Sequence, residues 1–116
     1  MPEPLDLDDV KEYLRRFAGA RDWDQFYTPK NLAMALAGEA GELLEVFQWQ
    51  SPEESARLSE EQTRAAADEM ADVLQYVVRL ADVLEIDLGD ALWRKLGENE
   101  QRYPADEVRG SSDKRP

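Results

Sequence analysis

The stretch 28-TPKNLAMALAGEAGELLEVFQ-48 decides the fold of this chain. Leu32, Leu36, Leu43 and Val46 recur at the spacing of one helix face. Thr28-Pro29 supplies the start, because threonine can cap and proline at the first helical position gives up an amide that would have no partner. The spacing predicts a helix from Pro29 to about Gln48. Its apolar stripe misses one step, at Glu39, so a carboxylate falls on the inward face. Glu42 follows three residues on and can point the same way. Gly38 and Gly41 flank the pair, each costing roughly 1 kcal/mol relative to alanine inside a helix, so something must compensate for them.

Downstream, Ser59-Glu60-Glu61-Gln62 has the full capping-box pattern and opens a long helix to about Glu85. Met70, Val73, Leu74, Val77, Leu80, Ala81 and Leu84 form its apolar stripe. Directly beside that stripe stand Glu69, Asp72 and Tyr76 at i, i+3 and i+7, so a second helix presents a carboxylate pair. Upstream, Leu7, Val10, Leu14 and Phe17 predict a helix from Leu7 to Ala20, with Asp6 or Asp8 to cap it. Arg21-Asp22-Trp23-Asp24-Gln25-Phe26-Tyr27 has no period and is rich in aromatics, which suits a connection that packs. Ser51-Pro52-Glu53-Glu54 opens a short turn. Asp87 caps a fourth helix that carries Leu88, Leu92 and Leu96 and stops before Pro104. The expectation is an all-α, four-helix-bundle-like domain over residues 1–104, with residues 105–116 as a disordered tail. No internal repeat or strand pattern stands out.

The 116 residues suit one domain. Helix stripes in so short a chain bury a modest core, so docking against a second copy through helix faces is expected, as a homodimer or homotetramer. There is no cysteine and no histidine. Disulfides, thiolate nucleophiles, Ser-His-Asp triads, imidazole bases and the usual zinc ligands are thereby excluded. Any chemistry comes from carboxylates, Lys, Arg, Tyr, Ser, Thr or a metal. A formal net charge of −12 argues against nucleic acid and anionic membrane as partners and favours divalent cations. No apolar run has membrane-spanning length, and Met1-Pro2-Glu3-Pro4 lacks the form of a leader, so the cytoplasm is the expected location.

Four ionised carboxylates facing one another across a bundle are strongly unfavourable unless a cation lies between them. An all-oxygen set without His or Cys suits Mg²⁺, with Mn²⁺ as a substitute, and Mg²⁺ commonly binds substrate phosphates as well. Taken alone, either pair also fits an ordinary solvated helix face. On the fourth helix Lys95, Asn99 and Arg102 fall at i, i+4 and i+7, followed by Tyr103-Pro104, a stripe able to grip phosphates. A snorkelling basic edge near a helix end would look the same.

The motifs Gly38-Glu39-Ala40-Gly41-Glu42, Glu69-Met70-Ala71-Asp72 and Lys95-x-x-x-Asn99-x-x-Arg102-Tyr103-Pro104, in that order, resemble the MazG-like nucleotide pyrophosphohydrolases over nearly the whole chain. Arg21-Asp22-Trp23 with Phe26, Pro29-x-Asn31-Leu32 and Phe47-Gln48-Trp49 are most similar to the branch containing dCTP pyrophosphatase, as is Gly38, where many relatives have a glutamate. The resemblance implies Mg²⁺-dependent hydrolysis of a nucleoside triphosphate, dCTP-like, to monophosphate and pyrophosphate. It implies Glu39, Glu42, Glu69 and Asp72 as catalytic metal ligands, Lys95 and Arg102 as triphosphate contacts with Tyr103 beside them, and Trp23, Trp49, Tyr76 and Asn99 as the base and sugar pocket. It also implies a site completed by a second subunit. Leu14 departs from a histidine of the dCTP-type enzymes. The competing class is a non-catalytic acidic helical module that binds a partner and holds a cation for structure alone.

Overall fold

The computed structural model describes residues 4–116, all-helical with no strand among them. Residues 1–3, part of the opening read above as unlike a leader, lie outside the described residues. In chain order the elements are α1 (Leu7–Ala20), a 3₁₀ turn (Asp24–Phe26), α2 (Pro29–Phe47), α3 (Pro52–Ser55), α4 (Glu60–Val83), α5 (Leu88–Arg102) and α6 (Ala105–Val108). No described helix is long and apolar enough to cross a membrane.

The helix starts follow from side chains that accept otherwise unpaired amides. Asp6 accepts from the Asp8 N–H at 2.8 Å, Thr28 from Asn31 at 3.1 Å and Asp87 from Asp90 at 3.0 Å. Ser51 with Glu54 and Ser59 with Gln62 form reciprocal capping boxes, each cap contributing about 1 kcal/mol. Two non-glycine residues, Asp22 at φ 55° and Glu85 at φ 56°, take the left-handed region where α1 and α4 stop. The Asp22 turn folds the chain back, so that the Trp23 N–H reaches the Ala18 carbonyl at 2.9 Å.

The chain divides into two compact units, Met1–Glu85 and Ile86–Pro116. In the first, α2 packs along α4, and α1 packs on α4 as well. The helices meet on small residues: Ala18, Ala66, Val78 and Ala81 are buried, and among the described residues Leu32, at 1% exposure, is the one large side chain fully enclosed. Met70, Leu74 and Leu84, expected on the inward stripe of α4, are exposed instead, with Met34 and Leu44 of α2. Of the stripe, Ala81 is buried and Val73, Val77 and Leu80 are half-buried, with Ala66 and Val78 buried beside it, so the stripe is wider than the neighbouring helices cover.

Leu32→Ala removes the largest enclosed side chain and is expected to cost about 2–5 kcal/mol, lowering the thermal midpoint by roughly ten degrees or more. Melting followed by circular dichroism checks this; a shift no larger than that of an exposed leucine would mean that the core closes around the gap.

In the second unit, α5 leads into a turn of helix beyond Pro104, where the sequence predicts a tail without regular structure. Pro104 sits at the N-cap, and Asp106 and Glu107 place negative charge in the first turn of α6. Further on, the Arg115 N–H donates to the Tyr103 hydroxyl at 3.0 Å.

Candidate active site

Periodicity on α2 and α4 brings three of the four singled-out carboxylates together. Glu39 of α2 and Glu69 and Asp72 of α4 each offer an oxygen, all within 4.8 Å of one another, and all three side chains are half-buried. Glu42, one turn on from Glu39, is exposed, yet lies close enough to hydrogen bond with both glutamates. No Lys or Arg forms an ion pair with any of the four among the described residues. One oxygen each of Glu39 and Glu69, both named Oε2, is buried without a hydrogen-bond partner.

The electrostatic consequence is a site that holds protons. The Glu39 carboxyl is pushed up to about 7, first by the proton it shares with Glu42, then by burial and by the charges of Glu42, Asp72 and Glu69. Burial raises Glu69 as well, reinforced by Glu42 and Asp72. Orphaned carboxylate oxygens, mutual repulsion and an oxygen-only donor set together fit a hard divalent cation. Gly38 and Gly41, whose cost within the helix calls for compensation, face open space: a Cβ at either would meet nothing within 4 Å.

Beside the carboxylates a cavity of about 140 Å³ opens, and Glu39 and Asp72 are part of its lining. Trp23, Tyr27, Phe17 and Tyr76 supply aromatic wall, with Leu14, Gln75 and Arg79 completing it. Trp23 meets Phe17 edge-on at 5.7 Å and Tyr27 at 6.4 Å. Burial raises the Tyr76 phenol, helped by Tyr27, Glu39 and Asp72, so its hydroxyl stays protonated at neutral pH.

Of the sequence-predicted pocket residues, Trp23 and Tyr76 line this cavity and Trp49 does not. Trp49 lies past the end of α2, 88% exposed. Lys95, Asn99, Arg102 and Tyr103 belong to the second unit. There Lys95 faces Glu98 at 3.7 Å, and the Arg102 guanidinium lies 6.0 Å from the Tyr103 ring centre. Phe17, Tyr27, Gln75 and Arg79 were not singled out by sequence. The signal for two of them was present, since Asp72, Gln75, Tyr76 and Arg79 fall at i, i+3, i+4 and i+7, a polar stripe along α4.

Comparison with known proteins gives concordant results. The MazG-like family matches residues 35–115. The chain is similar to dCTP pyrophosphatase 1 of Rattus norvegicus, 44% identical over 113 residues, which is 96% of this chain and 66% of the relative. The Homo sapiens dCTP pyrophosphatase 1 is also 44% identical, over 115 residues, covering 97% of this chain and 67% of the relative. The chain thus spans about two thirds of the length of these curated relatives. Among solved structures it resembles a pyrophosphatase from Archaeoglobus fulgidus, with a TM-score of 0.80 at 38% identity, covering 90% of this chain and 97% of that one.

Proposed function

This chain belongs to the MazG-like family, and on that premise we propose that it hydrolyses nucleoside triphosphates, dCTP-like ones foremost, between the α and β phosphates. The observation that carries the reading is that Glu39 and Asp72 serve two neighbours at once. They belong to the carboxylate cluster and to the lining of an aromatic-walled cavity. A cluster alone would suit a structural cation; a cluster opening onto a ring-sized cavity suits a ligand with phosphates at one end and a heterocycle at the other.

Glu39, Glu69 and Asp72, with Glu42 alongside, would hold Mg²⁺, with Mn²⁺ as a substitute. When bound there, the ion supplies positive charge against the carboxylates and the phosphate oxygens. Trp23, Tyr27 and Tyr76 flank the base. The family resemblance assigns Lys95 and Arg102, with Tyr103 beside them, to the outer phosphates, and Asn99 to base or sugar. Glu39, at the junction of cluster and cavity, would orient a water and take its proton. The water oxygen bonds to the α-phosphorus, the bond to the α–β bridging oxygen breaks, and monophosphate and pyrophosphate leave. Positioning and charge supply most of the rate in such transfers, so a chain without histidine is equipped for it.

The exposed Met34, Leu44, Met70 and Trp49 support assembly with a second copy, as a dimer or tetramer that completes the site. The reading places the protein in the cytoplasm, in contact with the nucleotide pool that it would cleanse.

The test is pyrophosphate and monophosphate release from a panel of dNTPs and NTPs with Mg²⁺ and after chelation. Metal-dependent release, strongest with a cytosine nucleotide, is expected. Release from no nucleotide, with the cation still raising the melting temperature, would reduce the site to a cation-holding module.

A further inference from the structure

Arg79 is the one cation among the residues that line the aromatic cavity. Its side chain is 11% exposed. Two carboxylates fix it: Nη2 donates to Asp24 Oδ1, and Nη1 to Asp82 Oδ2 at 3.3 Å. Asp82, itself 7% exposed, also accepts from Arg15 Nε at 2.7 Å and from Arg15 Nη2. The Arg79 guanidinium carbon lies 5.6 Å from the centre of the Tyr27 ring. Two arginines and two aspartates make a neutral network, so Arg79 has no charge to spare for a phosphate.

What it has to spare is donors. A guanidinium carries five N–H groups, of which two are used here, and Nε is buried without a partner. A tie from α4 to the 3₁₀ turn explains the Asp24 bond, and an i, i+3 pair within α4 the Asp82 bond, but neither explains why a buried charged donor is left without an acceptor beside a cavity. Among the other lining groups, Leu14 and Phe17 offer no hydrogen bond, Glu39 and Asp72 are acceptors committed to the cluster, the Gln75 amide already donates to Asp72 at 3.3 Å, and Trp23, Tyr27 and Tyr76 carry one donor each, so a planar pair of donors comes from Arg79. Along α4, Arg79 lies seven residues past Asp72, about 10 Å, which leaves a sugar's width between the acidic end and the arginine.

We propose that Arg79 determines base specificity, donating N–H groups to the adjacent O2 and N3 acceptors of a cytosine-type base. Uracil and thymine present an N–H at position 3, so the same donors meet a donor there and reject it. The cavity is smaller than the roughly 300 Å³ at the lower end of ligand sites, which suits one heterocycle of pyrimidine size. Asp24 and Asp82 act as positioning residues. Asp24 lies between Trp23 and Tyr27 in sequence, so its bond to Arg79 also holds the aromatic wall in register.

The proposal rests on the nucleotide-hydrolysing reading above, and the experiment separates the two. Specificity constants for dCTP, dTTP, dUTP and 3-deaza-dCTP, in which N3 is replaced by C–H, are measured for the unaltered protein and for Arg79→Lys. The lysine keeps the charge opposite Asp24 and Asp82 and loses the planar fork. The unaltered protein is expected to prefer dCTP over both dTTP and 3-deaza-dCTP, and Arg79→Lys to lose roughly ten- to a hundredfold of each preference. The 3-deaza comparison needs no variant, so it stands even if Arg79→Lys fails to fold. Equal use of dCTP and 3-deaza-dCTP by the unaltered protein would overturn the proposal, as would a uniform drop in the variant that leaves the base ratios intact. Turnover of no nucleotide by the unaltered protein would instead defeat the underlying reading.

Discussion

Glu39→Gln is expected to lower turnover by roughly a thousandfold while leaving the helical content unchanged. The substitution keeps the size of the side chain and its place on α2, where no ion pair depends on it. What it removes is the charge at the junction of cluster and cavity, and with it the group proposed above to take a proton from water. The same change relieves repulsion: without a cation, Glu39 is pushed up to about 7 because Glu42, Asp72 and Glu69 crowd it. The variant should therefore melt higher than the unaltered protein in chelator at pH 8, a combination expected of a functional charge and not of a structural one. Steady-state pyrophosphate release and melting in chelator check the two halves. Activity within tenfold of the unaltered protein would remove Glu39 from the chemistry; full loss accompanied by loss of helix would make it a fold residue.

The helices were legible because local chemistry decides them. Thr28-Pro29, the two capping boxes and Asp87 each satisfy amides within a few residues, so α2, α4 and α5 begin where the sequence places them. The carboxylate cluster was legible for a related reason. A helix converts i, i+3 spacing into a shared face, and a charge that interrupts an apolar stripe is conspicuous. The wall of the cavity was not. Phe17, Tyr27 and Arg79 come from three separate elements, and nothing local records that the left-handed turn at Asp22 folds Trp23 and Tyr27 back toward α4. Arg79 reads in sequence as one more surface arginine; only Asp24, fifty-five residues away, and Asp82 show it to be enclosed. Trp49, which the resemblance assigns to the base and sugar pocket, stands exposed and outside the lining of this cavity. Exposed Met70 and Leu74 show the limit of periodicity, which identifies an apolar face without saying what covers it.

Withdrawal of the divalent cation is expected to abolish turnover and to reverse how stability depends on pH. In chelator, the folded chain keeps a proton on Glu39 up to about 7, whereas the unfolded chain releases it near 4.5. Glu69 shifts in the same direction, through burial first and then the charges of Glu42 and Asp72. Unfolding in this window releases protons, so the contribution to stability is complete below the ordinary glutamate range and is lost as pH rises through 7. Asp82 runs the other way: the hydrogen bond from Arg15 holds it below its ordinary value, so its contribution is present at neutral pH and is lost only in acid. Melting between pH 5 and pH 8 therefore isolates the cluster. A cation competes with those protons, because ligation requires ionised carboxylates. Its stabilisation grows with the logarithm of concentration over Kd, reaching about 2.7 kcal/mol at a hundredfold excess. In chelator the melting temperature should fall from pH 5 to pH 8, and the gap between Mg²⁺ and chelator should widen over the same range. Both trends should flatten in Glu39→Gln. A gap equal at pH 5 and pH 8, or undiminished in the variant, would place the cation somewhere other than among Glu39, Glu69 and Asp72.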